Sequence, residues 1–167
     1  ADDRHKQTKG TAHLTLLAAT NEGYGNLVKL CSLGYLEGYY YKPRVDWELL
    51  ERHAPGLIAL SGCLSGRVSR ALAESRERDA EAELDRLEQL FGRDNVYVEL
   101  QNGGFAAQDA VFRALPELAA RRGLPLVATG DVHYLDAGDA YAHEALLCIQ
   151  SGDSLKNPDH WKFETNE

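Results

Sequence analysis

The sequence has few cysteines, no long apolar run and no strongly basic segment. Its three cysteines, Cys31, Cys63 and Cys148, are odd in number and widely spaced. This pattern argues against a disulfide framework and favours a reducing compartment, so we expect a cytoplasmic protein. No apolar run approaches the roughly 20 residues that a membrane-spanning helix needs, and no signal-peptide pattern opens the chain. We therefore expect no association with a membrane.

Charge and composition narrow the class further. The 167 residues include 26 acidic and 18 basic side chains, which gives a formal net charge of −8. Non-specific binding to a nucleic-acid backbone requires clusters of Lys and Arg, and the densest basic segments here, Arg67 to Arg70 and Arg121-Arg122, are short and diluted by acidic neighbours. Hydrophobic residues make up 44% and charged residues 26% of the chain, which is typical of a globular domain and excludes a disordered tail.

Four short apolar runs predict buried β-strands, because they are continuous rather than alternating. The runs are Leu14 to Leu17, Leu57 to Leu60, Val96 to Leu100 and Pro125 to Thr129.

Helical spacing appears between the runs. The clearest case is the set Ala80, Leu84, Leu87, Leu90 and Phe91, which lies on one helix face. Further helices are predicted around Leu27 to Gly34, over Trp47 to His53, around Val111 to Leu118, and from about Asp136 to Gln150 with Asp136 as N-cap. Pro116 is expected to kink the third of these helices or to divide it in two.

Strands that alternate with helices are the signature of βαβ units, so we predict an α/β fold with a parallel sheet and surrounding helices. An open doubly wound sheet and a barrel both fit this pattern. Three regions are expected: a polar N-terminal segment over residues 1–12, a domain over 13–150, and an exit segment over 151–167 without apolar periodicity.

Polar residues follow the predicted strands, where α/β proteins place their functional groups. Asp131 and His133 stand two residues apart in a segment expected to be extended, so both side chains point the same way. A carboxylate and an imidazole suit a divalent metal, and a thiolate such as Cys63 is a further suitable ligand. The alternatives are a turn carboxylate that caps the next segment, for Asp131, and a small buried hydrophobe, for Cys63. The residues alone therefore indicate a metal-binding α/β domain.

Six segments carry a more specific signal in their order along the chain. They are His13-Leu-Thr-Leu-Leu-Ala18, Glu22-Gly-Tyr-Gly-Asn-Leu27, Tyr35-Leu-Glu-Gly-Tyr39, Gly56-Leu-Ile-Ala-Leu-Ser-Gly-Cys-Leu-Ser-Gly66, Gly130-Asp-Val-His-Tyr134 and His143-Glu-Ala-Leu-Leu-Cys-Ile-Gln150. Together they resemble the polymerase-and-histidinol-phosphatase (PHP) domain of the alpha subunit of bacterial DNA polymerase III. The resemblance covers nearly the whole chain from His13 to Phe163.

The resemblance implies a distorted seven-stranded βα barrel with a multinuclear metal site at the carboxyl ends of its strands. It also implies that the first strands and their ligand motifs lie upstream of Ala1, so the chain is expected to be the C-terminal part of the domain. His13, Cys63, Asp131 and His133 match positions that carry metal ligands in the family. A sheet that lacks its first strands is expected to expose a parallel edge, which predicts pairing with another copy of the chain or poor solubility.

The activity implied for the full-length relative is template-directed DNA synthesis, with Mg²⁺ at a polymerase site outside this chain. The implied role of the PHP site is metal-dependent hydrolysis of a 3′-terminal phosphodiester, with Zn²⁺ or another divalent ion. The isolated fragment is expected to be inactive. The implied partners are the other polymerase subunits, a proofreading exonuclease among them, and DNA through the rest of the protein.

A second hypothesis is a non-catalytic docking module for a separate proofreading subunit. Two departures from the common family pattern count against an active phosphoesterase site. Gly103 stands where relatives often carry a His, and Gly130 replaces a common Asn. Neither departure changes a residue assigned above as a ligand.

Overall fold

The computed structural model describes residues 11–101, 106–130 and 132–162. This part of the chain forms a four-stranded sheet and six α-helices. In chain order the elements are β1 (Thr15–Ala18), α1 (Asn21–Leu36), α2 (Trp47–His53), β2 (Leu57–Leu60), α3 (Arg67–Ala73), α4 (Glu77–Phe91), β3 (Val96–Leu100), α5 (Ala106–Arg122), β4 (Leu126–Ala128) and α6 (Ala140–Ser151). All four strands lie within a residue or two of the apolar runs that predicted them, and the mixed α/β class is confirmed.

The strands lie in the sheet in their order along the chain, β1-β2-β3-β4. β2, β3 and β4 are parallel, with Leu60 beside Tyr97 and Glu99 beside Val127. β1 runs antiparallel to β2, with Thr15 beside Leu60. The prediction of parallel strands throughout is therefore wrong for β1.

The antiparallel pairing follows from the path between β1 and β2. Two helices form this connection, and the second returns the chain to the point where the first began. The amide of Ala19, after β1, donates to the carbonyl oxygen of Gly56, just before β2, at 2.9 Å. Gly23 in the first turn of α1 lies against the same residue, since a Cβ at Gly23 would be 1.8 Å from the Gly56 oxygen. β2 therefore starts beside the end of β1 and runs in the opposite direction.

The hydrophobic core lies between the central strands and α3, α4 and α5. α4 buries Ala80, Leu84, Leu87 and Phe91, as its spacing predicts. β2 and β3 are mostly buried, but β1 and β4 are half-exposed because each pairs on one side only among the described residues. The prediction that all four strands are buried is thus wrong for the two edge strands.

Side-chain caps mark the starts of α1 and α2. The Thr20 hydroxyl accepts a hydrogen bond from the amide of Gly23 and caps α1, and the Asp46 carboxylate caps α2 through the amide of Leu49. Asp136 caps a short 3-10 turn that leads into α6, as predicted. Pro116 lies inside α5 without dividing it, which corrects the expected break. Burial of Val111, Leu115 and Leu118 along one face holds that helix together across the missing hydrogen bond.

All three cysteines are free thiols. Within the described ranges, every helix is too short or too polar to span a bilayer.

Candidate metal centre

His13 and Cys63 meet beside β1, although fifty residues separate them in the sequence. The Nδ1 atom of His13 lies 3.4 Å from the Sγ atom of Cys63. His13 is exposed and Cys63 is half-buried, so the pair faces solvent on one side. The amide of Ser65 donates to the same sulfur at 3.4 Å, which fixes the thiol relative to the loop that carries it.

The loop after β2 holds Cys63 in this position. His13 donates its amide hydrogen to the carbonyl oxygen of Ser65 at 3.0 Å and forms a parallel bridge with Gly66, so the loop runs along the start of β1. Gly62 has a φ of +89°, and a Cβ at this position would lie 2.7 Å from the His13 carbonyl oxygen. Glycine is therefore required there by the backbone conformation and by the close approach.

The separation of the two atoms fits a shared metal ion. Zn²⁺ binds His nitrogen at about 2.0–2.1 Å and thiolate sulfur at about 2.3 Å, and tetrahedral geometry then places the two donors about 3.5 Å apart. The observed separation is 3.4 Å. Nitrogen and sulfur donors are also the ligand types that zinc prefers. The contact is a hydrogen bond between thiol and imidazole, and its length is also compatible with two ligands to one ion.

The other two predicted ligands follow β4. Asp131 lies outside the described residues. His133 is exposed, and its ring centroid lies 5.4 Å from that of His143 in α6. In the parts of the chain that the structure describes, no three His, Cys, Asp or Glu side chains converge into a group that could hold a metal. The assignment of His13, Cys63, Asp131 and His133 as ligands therefore stays a prediction.

Glu99 is a functional candidate that the sequence patterns missed. Its side chain sits near the end of β3 and is only 3% exposed. The carboxylate accepts hydrogen bonds from the Thr15 hydroxyl (3.2 Å), the Gly62 amide (3.1 Å), the Gln101 side-chain amide (3.2 Å) and the Thr129 hydroxyl (2.7 Å). The apolar run Val96 to Leu100 predicts a strand without explaining why it contains an acid. A carboxylate within a buried strand was the available signal, because Glu is rarely buried without partners.

The sheet brings these polar groups to one face. Thr15 is beside Leu60, which is beside Tyr97, and side chains two residues apart on a strand share a face. Glu99 therefore lies on the same face as Thr15. This α/β domain carries a cluster of polar side chains around Glu99 on one face of its sheet.

Comparisons with known proteins identify the family. The PHP domain family model matches residues 2–103. The chain belongs to the PHP domain family, which confirms the resemblance found in the sequence.

Individual relatives agree with the family match. The chain is 46% identical over 167 residues to the DNA polymerase III subunit alpha of Treponema pallidum, an alignment that covers 99% of the chain and 14% of the relative. It is 48% identical over 158 residues to the subunit alpha of Thermus aquaticus, covering 95% of the chain and 13% of the relative. It is also 48% identical over 159 residues to the subunit alpha of Deinococcus radiodurans, covering 95% of the chain and 12% of the relative. The chain thus spans about an eighth of the length of these relatives.

Proposed function

We propose that the chain forms part of the PHP domain of a bacterial replicative DNA polymerase and contributes ligands to a metal-dependent phosphoesterase site. The observation that carries the proposal is the 3.4 Å separation of the His13 Nδ1 and Cys63 Sγ atoms. An imidazole nitrogen and a thiol sulfur, both common zinc ligands, meet at this point from distant parts of the chain. The chain that carries them belongs to the PHP domain family. The relatives named DNA polymerase III subunit alpha support the assignment to a polymerase.

In this proposal His13 and Cys63 hold a divalent ion, Zn²⁺ or a similar metal, from β1 and from the loop after β2. Asp131 and His133 supply further ligands from the segment after β4. When bound, such metals activate water and neutralise the phosphoryl oxygens of a 3′-terminal phosphodiester. His13 is exposed and Cys63 is half-buried, so the pair can be reached from solvent.

The complete protein would carry out template-directed DNA synthesis in the cytoplasm, together with the other subunits of the polymerase. Its polymerase site, with Mg²⁺, would lie outside this chain. DNA would be bound mainly by other parts of the protein, because this chain has a net charge of −8.

Hydrolysis of a primer with a labelled 3′-terminal nucleotide tests the proposal in the complete protein. Cys63→Ala should abolish metal-dependent release of that nucleotide while DNA synthesis continues. Cys31→Ala is the matched control, because Cys31 is an exposed thiol on α1, away from the pair. Unchanged release in the Cys63→Ala protein would contradict the assignment.

A second candidate function is a docking module for a separate proofreading exonuclease subunit. The observation in its favour is the apolar surface of α6, where Leu146 and Ile149, three residues apart, are 62% and 77% exposed. Substituting both with Asp should weaken co-elution of the complete protein with the exonuclease subunit. Gln150→Asp, exposed on the same helix, is the control. Equal co-elution of all three proteins would eliminate this candidate.

A further inference from the structure

Glu99 is a buried carboxylate that the proposed ligand set does not use. Buried charges in proteins are normally paired with an opposite charge or coordinated to a metal, because their desolvation is costly. Among the described residues, the partners of the Glu99 carboxylate are all neutral donors. Glu99 is thus a buried carboxylate with four neutral hydrogen-bond donors, and several of these donors lie close in sequence to residues of the predicted metal site.

Two of the four hydrogen bonds lead to the pair beside β1. The Thr15 hydroxyl donates to Glu99 from a position two residues after His13, and the Gly62 amide donates from the position next to Cys63. A single carboxylate therefore fastens the start of β1 and the loop after β2 to the end of β3. This link adds to the backbone contacts of His13 with Ser65 and Gly66, which already hold the two segments together.

The other two bonds lead towards the segment after β4. Thr129 donates to Glu99 from a position two residues before Asp131, and Gln101 bonds both the carboxylate and the Thr129 hydroxyl. A small cavity of about 10 Å³ lies beside the carboxylate, with Cys63 also in its wall. This space holds at most about one water molecule. Glu99 and Cys63 therefore both line this small space.

We propose that Glu99 is a positioning residue for the metal centre, tying together the three strand ends that present the predicted ligands. An ionised carboxylate has about four lone-pair sites, and four hydrogen bonds fill them, so Glu99 acts on the ligands from outside rather than as a ligand itself. A residue hydrogen-bonded directly to a metal ligand typically changes metal affinity by about 10–100-fold when it is substituted. Glu99 bonds the residues beside the ligands instead, so its effect is expected at the lower end of that range. The inference rests on the metal site proposed above.

The test is a titration of the complete protein with Co²⁺, which replaces zinc and gives a thiolate-to-cobalt absorption band. Glu99→Gln keeps the shape of the side chain but removes its charge and one acceptor. We expect Co²⁺ affinity to fall by about 10-fold and the band to weaken, with the melting temperature measured in parallel. Glu88→Gln is the matched control. Glu88 is a half-buried carboxylate on α4 that pairs with Arg93. Arg93 precedes β3, so this pair lies at the opposite end of β3 from Glu99. Glu88→Gln should leave the cobalt absorption band unchanged.

Unchanged affinity and an unchanged band in Glu99→Gln would overturn the inference while leaving the metal site in place. Should that variant fail to fold, two substitutions with little change in shape take its place. Thr15→Val removes the hydrogen bond to Glu99, and Thr129→Val removes its bond to Glu99 together with the one it accepts from Gln101. Each should weaken Co²⁺ binding, and unchanged binding in both would overturn the inference equally. A band that survives Cys63→Ala, or no band in the unsubstituted protein, would overturn the metal-site proposal and this inference with it.

Discussion

Single backbone positions decide whether the two ligand candidates meet. Gly62 is the clearest case, because a φ of +89° and the nearby His13 carbonyl both exclude a side chain. His13 can therefore approach Cys63 only because Gly62, the residue before Cys63, has no side chain.

Gly62→Ala should destabilise the protein by more than about 1 kcal/mol, because alanine is strained at positive φ. Metal affinity should fall as well, since the loop that carries Cys63 must move away from His13. Urea unfolding followed by circular dichroism measures the first effect. Gly138→Ala is the control, because a Cβ there meets nothing within 4 Å. Equal stability of the two variants would contradict the described loop geometry.

Individual site residues differ in how far the sequence predicts them. The resemblance to the PHP family implies that His13 and Cys63 are ligands, and the fold brings their side chains to 3.4 Å of each other. The apolar pattern of a strand does not predict a role for Glu99, because it depends on the apolar residues of the run and gives no information about a single acidic residue among them. Its role depends on hydrogen bonds from β1, from the loop after β2 and from β4, and no local pattern contains those contacts.

At the scale of elements, α1 is held against the start of β2 by a contact between backbones. Gly23 faces Gly56 so closely that a Cβ would lie 1.8 Å from the carbonyl oxygen, whereas Gly25, two residues along the same helix, faces open space. The same substitution should therefore have opposite effects at the two positions.

Gly23→Ala should destabilise the protein by about 1–3 kcal/mol through overpacking. Gly25→Ala should stabilise it by about 0.5–1 kcal/mol, because alanine has the higher helix propensity. Chemical denaturation of both variants measures the difference. A stabilising effect at Gly23 would show that α1 does not pack on Gly56 as described.

His160 joins the turn after α6 to that helix. His160 donates from Nδ1 to the carbonyl oxygen of Asn157 and from Nε2 to the Glu144 carboxylate. Both ring nitrogens can donate only in the protonated imidazole. These bonds, that to Asn157 first and that to Glu144 second, raise the pKa of His160 above its ordinary value of 6.5.

The sign of the pH effect follows from the raised pKa. The contribution of His160 to stability is fully present below pH 6.5, its ordinary value, and is lost as the pH rises through the higher pKa of the folded state. An NMR titration of the His160 ring should give a midpoint above 6.5, and Glu144→Gln should lower it. A midpoint at or below the ordinary value would contradict the interaction with Glu144.

Elements were predicted more completely than their arrangement. The four strands and the amphipathic face of α4 follow from the apolar pattern, because burial of that pattern is what stabilises them. The direction of β1 does not follow, since it depends on the contact that returns α2 to the start of α1. The continuity of α5 through Pro116 is likewise a tertiary effect, because packing of the helix face outweighs the local preference.

At the scale of the whole molecule, the sheet has two edge strands among the described residues, β1 and β4. Both are short, and β4 presents Leu126, which is 45% exposed. Exposed apolar edges provide unpaired backbone groups to other chains.

The purified 167-residue chain should therefore self-associate as its concentration rises, as static light scattering would show. Leu126→Lys should reduce the association, because a charge on an edge strand opposes pairing. A monomer at all concentrations would contradict the prediction. Scattering that is equal in both proteins would place the contact elsewhere on the surface.

The central claim is that His13, Cys63, Asp131 and His133 contribute to a divalent metal site, and elemental analysis of the complete purified protein tests it most directly. The account predicts bound zinc or a similar divalent metal in the unsubstituted protein and in the Cys31→Ala control. It predicts a clear loss of metal in Cys63→Ala and in His133→Ala. Absence of metal from the unsubstituted protein, or unchanged content in both ligand variants, would contradict the account.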